Sequence, residues 1–373
     1  MNPKNTLSRP NWTRLAWLMG IALLLFALGF AGNLIERWYA GGIYRGISGL
    51  LRLLTGWIPF SLGDIAYAVF FIWLIIKLIK AIRLLRTRQG RKGLAALFLY
   101  KLANLVLVIY IVFKLLWGFN YDRMGIAYQL GIEKRPYNKA EITQLTNQII
   151  DKVNECRRQL PDTILPKPVL DSIFLGAQAG YQAASMQFPF LKYSHRSVKA
   201  SLYTGMSDYL GFMGYYNPFS GEAQLRTDVP RVLVPYITCH EMAHQLGYAS
   251  ESEANFVGYL AASASGDPYF RYSVYLDLLI YAQSEEIFIY SLDSSFHAFE
   301  AVMKQNRARL DTLVKKDRRE IREYFLKRRN RVSPAVSSLY DQYLKMNKQA
   351  KGIQSYNEVI GWLIAYQKKY GKI

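Results

Sequence analysis

From Leu15 to Ile35 the chain runs for 21 positions without a charged residue. A helix rises about 1.5 Å per residue, so about 20 apolar residues cross the roughly 30 Å hydrocarbon layer of a bilayer. Inside that layer every backbone N–H and C=O must be satisfied within the segment, which leaves a helix as its only single-segment conformation. Arg9 and Arg14 precede the run, as they would in a signal peptide. The run is too long for one, however, and no clean small-x-small cleavage site closes it. We read an uncleaved signal anchor, with Trp17, Trp38 and Tyr39 near the two interfaces.

Two further apolar runs follow, at about 63–82 and about 94–117, the first opened by Asp64. The intervening stretch at about 43–59 mixes Ile47, Leu50, Leu51, Leu53 and Leu54 with Arg45 and Arg52, and ends at Gly56 and Pro59. That pattern suits a helix lying in the membrane interface. Lys77, Lys80, Arg83, Arg86, Arg88, Arg91 and Lys92 come without an acidic residue among them. The positive-inside rule makes this loop cytoplasmic, so the N-terminus is cytoplasmic and everything from Asn120 onward is extracytoplasmic. The expected division is a membrane region at 1–119, with spans at about 15–35, 63–82 and 94–117, and an extracytoplasmic domain at 120–373. The formal net charge of +20 needs no nucleic acid: the lipid bilayer is the partner that accounts for it.

From Tyr137 the pattern becomes that of a soluble domain. Asn138 and Glu141 frame a helix start, and Ile142, Leu145, Ile149, Ile150 and Val153 repeat at helical spacing. Pro161, Pro166 and Pro168 mark a loop, and residues 169–185 are weakly helical. Residues 201–227 read as a β-hairpin turning at Asn217–Gly221, and Asp228 and Pro230 open the next helix. Residues 269–290 are apolar enough for a fourth span, but Asp277, Glu285 and Glu286 interrupt them and favour a buried core helix. Residues 314–331 read as a solvated basic helix, and 337–370 as two more helices. The fold class expected is mainly α, with a small antiparallel sheet. Cys156 and Cys239 are the only cysteines, so no disulfide framework exists.

The chemistry concentrates at His240-Glu241-Met242-Ala243-His244. Positions i and i+4 share a helix face, so two of the chain's four histidines can reach one Zn²⁺ at about 2.0–2.1 Å. Glu241 lies beside them, placed to take a proton from water activated by the metal. Gly247 would end this helix in a left-handed cap. Ser250 and Glu253 form an S-x-x-E capping box for the next one, whose first residue, Glu251, can face back toward the histidines. Asn255 follows one turn later, within reach of a ligand. Cys239 points about 100° away from His240 and reads as a small buried hydrophobe.

His240-Glu241-x-x-His244 followed by Glu251-x-x-Ala254-Asn255 resembles the gluzincin metallopeptidases, whose third ligand is the first Glu of an E-x-x-A-D or E-x-x-A-N motif. The resemblance implies Zn²⁺ on His240, His244 and Glu251, Asn255 orienting a ligand, Glu241 as catalytic base and a zincin-like α+β domain. Glu253 is the alternative third ligand. The spacing departs from most gluzincins, since only six residues separate His244 from Glu251. Metzincins use a short glycine turn, but Ser250 stands at their third histidine position. The wider plan, three spans and then Gly214-Tyr-Tyr-Asn-Pro-Phe ahead of the motif, is similar to an uncharacterised bacterial family of membrane-anchored HExxH proteins. That implies a multi-pass protein of the bacterial cytoplasmic membrane and lends no activity.

The expected function is therefore hydrolysis of a peptide or protein substrate by a membrane-anchored zinc metallopeptidase. The alternative is a non-catalytic membrane scaffold with a structural zinc. An intramembrane protease would need the motif inside a span, which Asp228, Arg231 and the polar turn at Ser250 oppose. Tyr340, Tyr343, Tyr356 and His297 are candidates for holding an oxyanion, none favoured by its position.

Overall fold

The computed structural model describes residues 10–85, 94–161, 169–292 and 296–373. It is mainly helical, with strands confined to one three-stranded sheet. The N-terminal part holds α1 (Trp12–Leu28), α2 (Gly32–Thr55), α3 (Leu62–Leu85) and α4 (Leu94–Leu116). The stretches Leu62–Arg83 and Ala96–Leu116 are long and apolar enough to cross a bilayer, and α1 with α2 makes a third such segment if the bent pair is one span. These helices mark the chain as membrane-associated. Tyr100 Oη donates to the Asn11 carbonyl, and the rings of Trp12 and Tyr100 meet edge to face, so α1 and α4 start at the same end. That end is the far one from the sheet. Arg86, Arg88, Arg91 and Lys92 lie outside the described residues.

The first expected span, 15–35, is not one straight helix. α1 stops at Leu28 and α2 leaves it at 89°. Gly29 sits at the corner, where a β-carbon would come within 2.8 Å of the Asp122 carboxylate. Ile35, at the end of the charge-free run, packs with Tyr39, Tyr44, Trp117 and Phe119. Its apolarity serves a protein core rather than lipid. The interfacial helix expected from about 43 accordingly begins at Gly32, passes through a π-helical stretch at Ile35–Ile43 and ends at Thr55.

Beyond α4 the main core forms around α5 (Lys139–Arg158), α6 (Leu170–Gln187) and the long α9 (Pro268–Ser291). Asn138 and Glu141 exchange the two bonds of a capping box and fix the start of α5. The apolar stripe of α5 then buries Ile142, Leu145, Ile149 and Val153 against the core. α9 is a largely buried core helix, begun by the Asp267 side chain accepting from the Tyr269 N–H. Pro166 and Pro168 lie outside the described residues. The C-terminal part supplies α10 (Phe296–Arg309), α11 (Thr312–Lys327), α12 (Ser333–Met346) and α13 (Val359–Tyr370).

The sheet corrects the antiparallel expectation. β2 (Gly214–Asn217) and β3 (Glu222–Leu225) form the antiparallel hairpin, but β1 (Val198–Ala200) pairs parallel to β3, giving the order β1-β3-β2 in a mixed sheet. Three residues are too few for an alternating pattern to announce a strand, and Tyr203, expected in a strand, lies in the loop before a 3₁₀ turn. The sheet is joined to α3: the Glu222 carboxylate accepts the N–H groups of Leu62 and Gly63 at its start.

Candidate metal centre and catalytic cleft

The motif helix α7 (Val234–Gln245) is buried along its whole length. It starts from a 3₁₀ turn at Arg231–Leu233 with Pro235 in its first turn, where a missing N–H costs no hydrogen bond. Its C-terminus closes as a Schellman motif: Gly247 N–H bonds the His244 carbonyl and Tyr248 N–H bonds the Ala243 carbonyl. Gly247 has φ +88°, and a β-carbon there would meet the Tyr44 ring at 2.7 Å. The turn delivers the chain to α8 (Glu251–Ser263), which packs on α7 closely enough that a β-carbon at Gly258 would lie 3.1 Å from the backbone nitrogen of His240.

Three donors converge. Nε2 of His240 lies 3.2 Å, and Nε2 of His244 3.5 Å, from Glu251 Oε2. The donor atoms of all three buried residues lie within 4.8 Å of one another. Donors at about 2.0–2.1 Å from a tetrahedral Zn²⁺ stand about 3.3 Å apart, so the two measured separations fit such an ion. Two orientations are fixed from behind. His244 Nδ1 pairs with the Tyr248 carbonyl at 2.7 Å, which holds the ring with Nε2 turned toward Glu251. Tyr340 Oη donates to Glu251 Oε1 at 2.7 Å, leaving Oε2 as the carboxylate oxygen without a hydrogen bond.

The electrostatics are those of a buried charge cluster. Burial disfavours the Glu251 carboxylate, but the imidazoles of His244 and His240 outweigh it and hold the group well below the ordinary range. Burial also opposes the His244 imidazolium, yet Glu251 carries it up to about 9. Glu241 is pushed up to about 7 by burial, and its Oε2 is buried without a partner. It stands beside the triad rather than in it.

A cleft of about 610 Å³ opens onto His240 and Glu241. One wall is the edge strand β2: a β-carbon at Gly214 would sit 2.6 Å from Glu241 Oε1. The others come from Tyr236, Asp277, Tyr281, Tyr340 and Tyr356. The Tyr356 ring lies nearly parallel to that of His240, 6.4 Å away. Asp277 carries no hydrogen bond among the described residues, and burial pushes its carboxyl up to about 7. Its signal in the sequence was the acid interrupting an apolar helix.

The other expected residues fall as follows. Asn255 is buried on the cleft wall, accepting from Tyr236 Oη through its side-chain oxygen. Glu253 does not join the triad and does not cap its own helix. It accepts the N–H of Ile126, while Ser250 makes no cap bond and pairs with the Ser252 hydroxyl. The expected capping box is thus replaced by a tertiary contact. Tyr343 bonds Tyr121, and His297 is exposed on α10. Cys239 is buried and free, and burial raises its thiol pKa. Sequence reasoning missed Gln245, whose side chain spans three partners: its Nε2 donates to the carbonyls of Ser197 and Gly221, and its Oε1 accepts from Tyr193. It also missed Gln349, which accepts the Glu251 N–H.

The floor of the site is built by the N-terminal helices. Tyr44, Ser48 and Arg52 of α2 all donate to the Gln245 carbonyl, and Trp117 Nε1, one residue beyond α4, donates to that of His244. Glu36 holds Arg123 bidentately, and Arg123 in turn reaches the Gly247 carbonyl.

No curated protein and no solved structure matches the chain. A family model does, across residues 39–364, which takes in most of α2, the long apolar helices α3 and α4, the sheet and the His240–His244–Glu251 cluster. The chain therefore belongs to the family described as protein of unknown function (DUF3810).

Proposed function

We propose that the protein is a membrane-anchored zinc metallopeptidase with a zincin-like domain. The observation that carries the reading is the convergence of His240, His244 and Glu251 on one point, with Glu241 buried alongside and a cleft in front. Structural zinc sites close with four protein ligands, whereas three ligands with an open approach are the hydrolytic arrangement. When bound, Zn²⁺ supplies a Lewis acid that lowers the pKa of water to about 7 and polarises a carbonyl. Glu241 accepts the proton of the attacking water as its oxygen bonds to the acyl carbon. It then passes that proton to the amine as the C–N bond breaks. Tyr356 presents a hydroxyl on the cleft wall, where it can hold the developing oxyanion, while the Tyr340 hydroxyl is engaged in donating to Glu251. The free edge of β2 passes directly in front of Glu241, which suits an extended peptide added as a further strand.

The location we propose is the cytoplasmic membrane, with the cleft outside. Arg14, Lys77, Lys80 and Arg83 lie toward the helix ends remote from the site, and the positive-inside rule assigns that end to the cytoplasm.

The test is the Glu241→Gln variant of the full-length protein. Gln keeps the shape and cannot take the proton. Zinc content and thermal unfolding should match wild type, while cleavage of a mixed quenched-fluorescence peptide library falls about 10²–10⁴-fold. Equal cleavage by the variant would refute the assignment of Glu241, and no cleavage by either protein would favour the structural-zinc scaffold.

A further inference from the structure

We propose that the cleft works at the headgroup level of the bilayer. Its substrate is then a polypeptide segment tethered to the same membrane, by its own span or by an acyl chain, and cut a few residues from the tether. The proposal rests on the peptidase reading.

α2 carries its polarity inside out. Tyr44, Ser48, Arg52 and Thr55 are buried against the motif helix and sheet, while Ile43, Leu50, Leu53 and Leu54 are exposed beside Arg37 and Arg45, whose charged ends suit the headgroup layer. A helix facing water shows the opposite pattern. Trp57, 79% exposed, continues the apolar face. Aromatic residues of this kind sit at headgroup depth. The 89° bend from α1 is the geometry of a helix lying in the plane of a bilayer that α1 crosses. Lipid is the occupant that fits this face, because it continues the apolar surface of α1, α3 and α4.

The site is one helix layer above that surface. The Gln245 carbonyl rests on α2 donors, and packed helices lie about 8–10 Å apart. Trp117 reaches the His244 carbonyl from the first residue beyond a span. The cleft walls are rooted in the same span ends. Tyr215, on the wall, donates to Asp64 Oδ1 in the first turn of α3 at 2.6 Å. α12, which contributes Tyr340 to the cleft, is held near the end of α1, because Lys348, just past its end, donates to the Gly29 carbonyl. Apolar side chains are exposed around the cleft: Leu210 in its lining, Leu202 on the same β1–β2 connection with its N–H on the Asp64 carboxylate, and Leu339, next to Tyr340, and Met346 on α12, the last two at 67% and 82%.

A site about 10–15 Å above the hydrocarbon is reached by three to five residues of extended chain, at about 3.3 Å each. A tethered segment enters it at a high effective concentration, whereas a soluble peptide does not.

The experiment uses the full-length protein in zinc-loaded phosphatidylethanolamine/phosphatidylglycerol vesicles. Its first readout needs no hydrolysis. Leu202→Cys and Leu339→Cys are labelled with a fluorophore, selectively because Cys156 and Cys239 are buried. Quenching by lipids spin-labelled near the headgroup is compared with a Glu300→Cys control on α10. Quenching at both rim positions and not at the control is expected; rims that remain unquenched overturn the proposal, whatever is cleaved. The second readout offers one decapeptide library with an N-terminal palmitoyl or acetyl group. Palmitoylated members should be cut at least about tenfold faster, three to five residues from the anchor. Equal rates with quenched rims overturn the substrate class alone. Quenched rims with neither library cut, and Glu241→Gln indistinguishable from wild type, overturn the peptidase reading and the proposal with it.

Discussion

Replacing Gly214 by Ala tests how closely β2 constrains Glu241. The built β-carbon would lie 2.6 Å from Glu241 Oε1, 2.7 Å from its Cγ and 2.8 Å from its Cδ. Ordinary van der Waals contact begins near 3.4 Å, so the carboxylate or the strand must yield by about 0.6–0.8 Å. Gly214 is not among the glycines with positive φ, so alanine meets no backbone strain there. Losing glycine's freedom in the unfolded chain gains about 0.4–1 kcal/mol, which offsets part of the crowding. Overpacking of this kind costs about 1–3 kcal/mol, so the net destabilisation should be at most about 2.5 kcal/mol. A misplacement approaching 1 Å in the catalytic geometry costs about 10²-fold in rate. The ligand residues lie on α7 and α8, so zinc content should remain that of wild type. Peptide-library cleavage, metal analysis and thermal unfolding of the full-length variant in nanodiscs measure the three quantities. Unchanged cleavage would mean that Glu241 relocates freely or is not the base. Loss of zinc with the fold intact would mean that β2 supports the ligands, which the reasoning denies.

Three further outcomes follow from the same contacts. Glu251→Ala should lower zinc occupancy sharply, whereas Glu253→Ala should keep the metal and cost about 1.5–3 kcal/mol, because its carboxylate serves the Ile126 N–H; metal analysis giving the reverse would move the ligand to Glu253. A fragment beginning at Asn120 should not hold one zinc per chain, since it lacks Tyr44, Ser48, Arg52 and Trp117 beneath α7; a soluble, zinc-replete monomer would contradict this. A reporter active only outside the cytoplasm should be active when fused after Ile373 and silent when fused at Gln89, and the opposite result would invert the orientation.

What could be read in advance was local. The His240–His244 spacing and the turn at Gly247 need only a helix period and a left-handed cap, and both elements form where the pattern places them. The α5 cap at Asn138 and Glu141 is local in the same way. The second capping box failed because nothing in Ser250-Glu251-Ser252-Glu253 discloses that Ile126, remote in sequence, offers an N–H to Glu253. The bend after α1 was hidden because an apolar run does not say whether lipid or protein covers it, and Ile35 is covered by Trp117 and Phe119. Gly214 and Asp277 carried no legible meaning alone. The first matters through a close approach across 27 positions of chain, the second by facing a cleft built from segments scattered between Leu210 and Asn357.

The boundary between anchor and domain, drawn at residue 119 from hydropathy, cuts through a set of mutual dependencies. A helix leaves its last four carbonyls without intrahelical partners. In α7 the Schellman turn satisfies those of Ala243 and His244, and Tyr44, Ser48 and Arg52 converge on that of Gln245. Those three side chains face a need of their own. They lie on the inner side of a helix whose outer side is apolar, and buried polar groups without partners are costly. α2 can present an apolar face outward only because α7 takes up its polar one, and α7 can end buried only because α2 supplies donors. The negative end of the α7 dipole falls at His244, and it favours a cation there as well. α2 thus completes the last turn of the helix that carries the candidate ligands, so any shift of α2 would act directly on the backbone of His244 and Gln245.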